Sequence, residues 1–155
     1  NEIKCGVIFN PIMNEMYCAE KGKGAYLNNT RIRVSNVKKS KDALVVTGGP
    51  KQISKIKDKI FSEYIDISKK VSNVRRFGSA ALDMAYVACG RFDAYWQREL
   101  NYWDIAAGII IVKEAGGFCE FFEDDKNYPL KKNIIASNAN IHDEFKLLIT
   151  KKDIE

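Results

Sequence analysis

Histidine, proline and long apolar runs are scarce in this chain of 155 residues. Its single histidine, His142, offers no basis for a Ser-His-Asp or Cys-His catalytic group. With only 3 prolines and 10 glycines, the chain is neither collagen-like nor linker-like. The longest apolar stretch, residues 105–112, is far shorter than the roughly 20 residues that a transmembrane helix needs, so we expect no membrane partner.

The cysteines show no metal or redox spacing. No two of them form a CxxC pair, which argues against a zinc knuckle or a thioredoxin-like motif. Each lies in an apolar run, so we expect each to be a small buried hydrophobic residue, in a protein of the reducing cytoplasm. The four are Cys5, Cys18, Cys89 and Cys119.

The charge balance is modestly basic. Lys and Arg number 25 against 20 Asp and Glu, a net charge of +5. This excess favours anionic ligands, but the basic residues are spread along the chain, so solvated surface is favoured over a dedicated nucleic-acid site. Hydrophobic content of 46% indicates a folded domain with a core.

Residues 1–40 predict an antiparallel meander that belongs to one sheet. Within the second strand, Met16 and Cys18 should share one face and Tyr17 the other. Asn28 and Asn29 indicate a hairpin turn. The strands are predicted over residues 3–10, 15–20, 25–27 and 31–34.

Residues 41–155 predict a separate α/β domain, because strands now alternate with helices. Residues 38–42 read as a polar linker, and residues 124–129 as a turn. Strands are predicted over residues 43–47, 71–77, 92–97, 118–122 and 134–136. Helices are predicted over residues 52–64, 79–89, 103–115 and 141–151.

Asp104 is the first candidate site residue. It lies in the first turn of a predicted helix, where the helix dipole favours an ionised carboxylate. Such a carboxylate suits Mg²⁺, which binds one or two carboxylates together with substrate phosphate. From the residues alone, an ordinary acidic residue that caps the start of a core helix is the favoured interpretation of Asp104.

A second candidate lies where a predicted strand turns into a helix. Free backbone N–H groups at a helix start, preceded by Arg75 and Arg76, would bind an anion. The alternative is a plain strand-to-helix turn capped by Ser79. Residues 47–50, Thr-Gly-Gly-Pro, also leave a strand at a position where α/β folds bind ligands, although turn punctuation accounts for them.

The segment WDIAAGIIIVKEAGG, residues 103–117, resembles the C-terminal signature of the inositol monophosphatase family. GVIFNPIMNEMYCAEKGKGAYLNNTRIRVS, VVTGGP, RRFGSAALDMAYVACGRFDAYW and NIIASNANIHDEF are similar to other family segments, in the family's order. The resemblance implies a layered α-β-α-β-α sugar-phosphatase fold. It also implies a homodimeric, lithium-sensitive, Mg²⁺-dependent phosphomonoesterase, in which bound ions activate a water that attacks phosphorus.

The resemblance also assigns roles to individual residues. Asp104 matches a metal-binding aspartate, and Asp83 is interpreted as structural. Arg75 and Arg76 match a basic pair near the site and the dimer contact. The positions that match the substrate-binding segment are Gly78, Ser79 and Ala80.

Two departures qualify this resemblance. Gln97 stands where the family has a glutamate that binds inositol hydroxyls, and Glu99 is two residues out of register. The family's DPxDGTxNF segment and its upstream glutamate pair, which carry most metal ligands, are absent. We therefore expect a truncated C-terminal part that is inactive alone and self-associates through a bare sheet edge.

The residues leave other functions open. Gln97 keeps a nucleotide 3′-phosphatase or a sugar bisphosphatase of the same superfamily in consideration. The resemblance also allows association with RNA or RNA polymerase, and a gene remnant without activity is a further alternative.

Overall fold

A computed structural model describes residues 2–123 and 131–150 of the chain. The first four strands form an antiparallel meander in the order β1-β2-β3-β4, which we call the meander sheet. Asn28 and Asn29 have positive φ angles of 45° and 68°, as the tight turn between β3 and β4 requires. The strands are β1 (Cys5–Asn10), β2 (Glu15–Glu20), β3 (Gly24–Leu27) and β4 (Thr30–Ile32).

The remaining strands form a five-stranded mixed sheet, the central sheet, in the order β6-β5-β7-β9-β8. Strand β5 is parallel to β6 and β7, whereas β9 is antiparallel to β7 and β8. Its strands are β5 (Leu44–Thr47), β6 (Asn73–Arg75), β7 (Ala94–Asn101), β8 (Phe118–Phe121) and β9 (Lys131–Ser137). The helices are α1 (Lys57–Ser68), α2 (Ala80–Ala88), α3 (Tyr102–Glu114) and α4 (His142–Thr150).

Four layers stack in the order meander sheet, α2 with α3, central sheet, α1 with α4. One apolar core joins the meander sheet through α2 and α3 to the near face of the central sheet. A second core lies between the far face of the central sheet and helices α1 and α4. The predicted layered α/β fold class is confirmed. Within the described residues, none of the helices is long and apolar enough to cross a bilayer.

Several element boundaries differ from the sequence prediction. Helix α1 begins at Lys57 and continues to Ser68, because residues 52–56 form turns before the helix starts. Strand β6 is shorter than predicted, whereas β7 and β9 are longer because they pair with each other along most of their length. The supposed linker contains a 3₁₀ turn, Ser40–Asp42.

The prediction that all four cysteines are buried is wrong for Cys5. It is exposed because it starts β1 on the face turned away from the helices, while the other three are partly buried. The predicted turn at residues 124–129 and the last predicted helical residue, 151, lie outside the described part of the chain.

Specific contacts join the meander sheet to the helices. The Glu114 carboxylate at the end of α3 accepts hydrogen bonds of 2.8 Å from the backbone N–H groups of Gly22 and Gly24. Gly6 lies against the backbone of Ala107, so closely that a Cβ would clash. Helices α2 and α3 pack on both sheets, so one apolar core crosses the proposed domain boundary near residue 40. The division of the chain into two domains, residues 1–40 and 41–155, therefore stays a prediction.

Candidate functional site

A polar cavity of about 610 Å³ opens where β5 ends and where α2 and α3 begin; we call it the main cavity. This is the carboxyl end of the parallel strands, the usual ligand position in α/β sheets. Predicted site residues lining it are Arg76, Gly78, Ser79, Ala80, Gln97 and Asp104. The other lining residues are Gly48, Gly49, Lys51, Ala81, Leu100 and Trp103.

The start of α2 forms one wall of the main cavity. Ser79 is the N-cap and accepts a hydrogen bond from the Leu82 N–H group at 3.4 Å, as predicted. Gly78 has a φ angle of +87°, a conformation that glycine adopts without strain and that turns the chain from β6 into the helix. The first N–H groups of α2, at Ala80 and Ala81, therefore border the cavity with the positive end of the helix dipole.

Asp104 lies in the first turn of α3, on another wall of the main cavity. Its Oδ2 atom accepts hydrogen bonds from the backbone N–H and the side-chain amide of Asn101, both at 3.3 Å. This cap orients the carboxylate and leaves Oδ1 for a ligand. Trp103 lies at the rim and is largely exposed.

Gly48 and Gly49 are required by the side chains beside them. A Cβ on Gly48 would occupy the position of the Gln97 amide, and a Cβ on Gly49 would collide with the Arg76 guanidinium. The two glycines therefore let Gln97 and Arg76 lie flat against the loop that follows β5. In the sequence, turn punctuation accounts for this loop, and its position after a buried strand is the signal of a ligand site.

Gln97 is held by a buried tyrosine. The Tyr95 hydroxyl donates a 2.7 Å hydrogen bond to Gln97 Oε1. Burial, together with the nearby charges of Asp83 and Asp104, holds the pKa of Tyr95 well above its usual value, so this hydroxyl stays a donor. This bond orients the Gln97 amide, which lines the main cavity with its N–H donors and the second lone pair of Oε1.

A bulge in β7 decides which neighbours of Gln97 face the main cavity. The pairing of β7 with β9 shifts register between Gln97 and Leu100, and Glu99 adopts a φ angle of 56°. Regular alternation would have placed Glu99 beside Gln97, but the bulge places Leu100 there instead. Glu99 therefore does not line the main cavity.

The two arginines point to different surroundings. Arg76 lines the main cavity, whereas Arg75 bonds the Asn73 side chain and the Val74 carbonyl on the exposed edge strand β6.

Lys51, which had no signal in the sequence, adds a second cation to the main cavity. Within residues 2–123 and 131–150, no cluster of three or more His, Cys, Asp or Glu side chains could hold a metal.

Asp83 lies one helical turn beyond Ser79 and is fully buried. Neither of its carboxylate oxygens has a hydrogen-bond partner among the described residues. Burial raises the pKa of Asp83 to about 7. Asp83 does not line the main cavity, and its interpretation as a structural residue stays a prediction.

A smaller apolar cavity of about 210 Å³, the side cavity, adjoins the main cavity. Gly48, Gly49 and Arg76 line both cavities, so the loop after β5 forms the partition between them. The other lining residues of the side cavity are Thr47, Pro50, Ile60, Phe61, Tyr64 and Trp96.

A second cluster of polar side chains lies at the start of α4, and none of its residues lines the main cavity. The Ser137 hydroxyl lies 2.7 Å from His142 Nδ1, and His142 Nε2 lies 3.5 Å from a Glu120 oxygen. Residues in this order resemble a catalytic triad, but Ser137 is fully buried and its hydroxyl also donates to the Asn138 carbonyl. The group therefore packs α4 onto the central sheet and offers no nucleophile to a substrate.

Sequence comparison relates the chain to one enzyme family. The profile of the inositol monophosphatase family matches residues 1–152. An inositol-1-monophosphatase of Caulobacter vibrioides is 43% identical over 142 residues, which are 90% of this chain and 56% of that protein. The Nus factor SuhB of Pseudomonas aeruginosa is 38% identical over 146 residues, 93% of this chain and 53% of that protein.

Structural comparison agrees with the sequence profile. The crystal structure of the extragenic suppressor protein SuhB from Bartonella henselae superposes with a TM-score of 0.88 at 42% identity. The match covers 97% of this chain and 57% of that one. The chain thus spans about half the length of the curated relatives that it matches.

Proposed function

Because the chain belongs to the inositol monophosphatase family, we propose that it acts in a Mg²⁺-dependent phosphomonoesterase. Its substrate would be inositol monophosphate or a related small phosphate ester. The observation that carries this proposal is the convergence on the main cavity of two helix starts, two cations and the Asp104 carboxylate. Helix N-termini and basic side chains bind phosphate. A carboxylate beside them can share a Mg²⁺ ion with the phosphate oxygens.

The chain's own residues would bind and orient the phosphate. Ser79, Ala80 and Ala81 line the cavity at the start of α2, where their backbone N–H groups would donate hydrogen bonds to a phosphate oxygen. Gly78 places no side chain between these groups and the ligand. Lys51 supplies positive charge from the loop after β5, and Arg76 supplies it from the same loop as Gly78 and can bond two phosphate oxygens at once.

Asp104 is the residue that would hold Mg²⁺. Its Oδ1 atom is not used by the helix cap, and an ionised carboxylate is the ligand that Mg²⁺ prefers. When bound, the ion would neutralise negative charge on the phosphate. Among the described residues, Asp104 is the only carboxylate that lines the cavity. One carboxylate supplies part of the coordination shell of one Mg²⁺ ion and cannot hold two ions.

We therefore propose that the chain alone binds phosphate but hydrolyses no phosphate ester. On this proposal, residues 41–155 form the α/β domain that carries the substrate cradle, and residues 1–40 belong to the sheet of a second domain. Mg²⁺-dependent, lithium-inhibited release of phosphate from inositol 1-phosphate by this chain alone would show that its own residues complete the site.

Binding measured by calorimetry tests the metal and phosphate assignments together. We expect inorganic phosphate to bind more tightly in the presence of Mg²⁺, and Asp104→Asn to remove this Mg²⁺ enhancement, a loss of about tenfold. Asp143→Asn, at an exposed first-turn position of α4, is the matched control and should bind like the native chain. Equal Mg²⁺ enhancement in both variants would refute the role of Asp104.

The identity of the ester depends on Gln97. A family glutamate would accept charge-assisted hydrogen bonds from inositol hydroxyls, whereas the neutral Gln97, whose Oε1 already accepts from Tyr95, is a weaker acceptor and also offers donors. A sugar bisphosphate or a nucleotide 3′-phosphate therefore stays an alternative substrate.

Other proposals concern partners. Similarity to a relative named Nus factor SuhB, with the net charge of +5, supports an association with RNA or RNA polymerase as a second candidate function. Such binding would weaken with salt and would not need Mg²⁺. We further propose that the chain forms a homodimer with Arg75 near the dimer contact, which light scattering would detect. We also propose that it acts in the cytoplasm, where its four unpaired cysteines are stable.

A further inference from the structure

The side chain of Gln97 is confined by two neighbours at the edge of the main cavity. Tyr95 and Gln97 lie two positions apart on β7, so both point to the face of the central sheet that α2 and α3 cover. The Tyr95 hydroxyl donates a 2.7 Å hydrogen bond to Gln97 Oε1. The carboxamide also lies against Gly48, where a Cβ would overlap it. A hydroxyl donor and a residue without a side chain therefore define the place of this carboxamide.

The hydroxyl that reaches Gln97 comes from a firmly held residue. Tyr95 is fully buried in the core between the central sheet and helices α2 and α3, and it lies opposite Val46 of β5. The Thr47 hydroxyl donates a 2.5 Å hydrogen bond to the Trp96 carbonyl, which ties β5 to β7 between Tyr95 and Gln97. The position of the Tyr95 hydroxyl is therefore set by packing and by a backbone contact, independently of any ligand.

Orientation matters more for a glutamine at this position than for the glutamate of the family motif. Both oxygens of a carboxylate accept hydrogen bonds, so a half-turn of the group changes nothing. A half-turn of a carboxamide exchanges an acceptor for donors. Burial and the nearby charges of Asp83 and Asp104 hold the pKa of Tyr95 well above its usual value, so its hydroxyl stays protonated and donates to Oε1. The Nε2 donors thereby take the other end of the group.

From this geometry we propose that Tyr95 is a positioning residue, which fixes the Gln97 carboxamide and thereby determines how the site binds the alcohol part of the phosphate ester. Tyr95 does not line the main cavity, so it acts through Gln97. The Nε2 donors and the free lone pair of Oε1 meet the hydroxyls of the alcohol in one fixed arrangement. The inference rests on the proposed function, since it uses the same cavity, and it adds a residue that sets the selectivity of that cavity.

Calorimetry with two ligands tests whether Tyr95 acts on the alcohol part. Inositol 1-phosphate carries an alcohol that inorganic phosphate lacks. With Mg²⁺ present, we expect Tyr95→Phe to weaken the binding of inositol 1-phosphate about fivefold, which corresponds to one neutral hydrogen bond. The binding of inorganic phosphate should not change. In a Gln97→Met background, Tyr95→Phe should have no further effect, because the group that it positions is gone.

Tyr17→Phe is the matched control. Like Tyr95, Tyr17 is a fully buried strand residue whose hydroxyl donates to a side chain two positions away, here to Glu15 at 2.8 Å. Tyr17 belongs to the meander sheet and does not line the main cavity. We expect this variant to bind both ligands like the native chain.

Nuclear magnetic resonance measures the positioning directly. The chain has two glutamines, and the exposed Gln52 serves as an internal reference for Gln97. In a sample with isotope-labelled glutamine side-chain amides, nitrogen relaxation should show an ordered Gln97 amide and a mobile Gln52 amide. Tyr95→Phe should make the Gln97 amide mobile, whereas Tyr17→Phe should leave it ordered.

The outcomes separate the inference from the proposed function. The inference is wrong if Tyr95→Phe leaves the Gln97 amide ordered, has no effect on inositol 1-phosphate, or weakens both ligands equally. It is also wrong if the loss persists in the Gln97→Met background; in each of these cases the proposed function stands. If neither ligand binds to the native chain, the proposed function fails and the inference falls with it.

Discussion

The two sheets differ in how many of their faces are covered. The meander sheet is covered on one face by α2 and α3, so that its outer residues Val7, Phe9 and Met16 are 47–59% exposed. The central sheet is covered on both faces, and both Val45 and Val46 are fully buried. The same residue type should therefore contribute differently to the free energy of unfolding in the two sheets. The substitutions below measure this difference.

The largest difference is expected between two ion pairs. Arg98, on the far face of the central sheet, bonds Glu63 of α1 at 2.6 Å, and both side chains are buried. Arg98→Ala would leave Glu63, whose pKa burial already raises, without its partner. We expect a loss of about 3–5 kcal/mol in the free energy of unfolding, measured with urea.

The matched pair on the meander side is Arg91 with Glu15. Their shortest contact is 2.5 Å, and the Glu15 side chain is 10% exposed. Because the Arg91 side chain that covers it is 42% exposed, removing Arg91 lets water reach the Glu15 carboxylate, which also keeps its hydrogen bond from Tyr17. Arg91→Ala should cost about 1 kcal/mol. Equal losses in the two variants would contradict the idea that the two regions differ in how well they exclude water.

An intermediate effect is expected from one valine in each sheet. Val45 and Val7 both point away from α2 and α3, but Val45 packs under α1 and α4 whereas Val7 is exposed. Val45→Ala should therefore cost about 2–3 kcal/mol and Val7→Ala less than about 0.5 kcal/mol. A large loss for Val7→Ala in unfolding experiments would mean that the outer face of the meander sheet is covered in solution.

An effect that depends on pH is expected at Asp83, in the helical layer that the two sheets share. Its pKa of about 7 in the folded chain exceeds the model-peptide value of 3.8, so the folded state binds more protons between these values. The free-energy cost of burying the ionised Asp83 carboxylate is absent below about pH 4. It grows as the pH rises to about 7, so the free energy of unfolding falls over this range. Asp83→Asn should stabilise the fold by up to about 4 kcal/mol more at pH 8 than at pH 4.

Unfolding curves at the two pH values measure this effect. Asp143→Asn is the control, because Asp143 also lies in a first helical turn but is exposed. A stabilisation by Asp83→Asn that is equal at pH 4 and pH 8 would show that charge burial is not the cause.

Local patterns predicted most of the fold because they reflect local physics. Tyr17 and Met16 alternate between buried and exposed as a strand requires, Asn28 and Asn29 form the predicted hairpin turn, and Ser79 caps α2. The start of α1 was misplaced because residues 52–56 have apolar residues at helical spacing but form turns. Periodicity alone does not distinguish these two structures.

The candidate site was predicted in part. Arg76 and Ser79 from one segment, and Gln97 and Asp104 from two others, line one cavity. Arg75 does not, because successive residues of a strand point to opposite sides. The side cavity and its aromatic residues had no signal in the sequence, since Phe61 and Trp96 each read as ordinary apolar residues of a helix and a strand.

By itself, the sequence determined the order of strands and helices, the turns and caps, and the family motifs, because each depends on neighbours close along the chain. Only the tertiary structure decided the bulge that replaces Glu99 by Leu100 beside Gln97, and the pairing of Glu114 with the Gly22 and Gly24 backbone. It also decided why Gly48 and Gly49 must be glycine. These features arise from contacts between distant segments, whose geometry is set by how the layers pack.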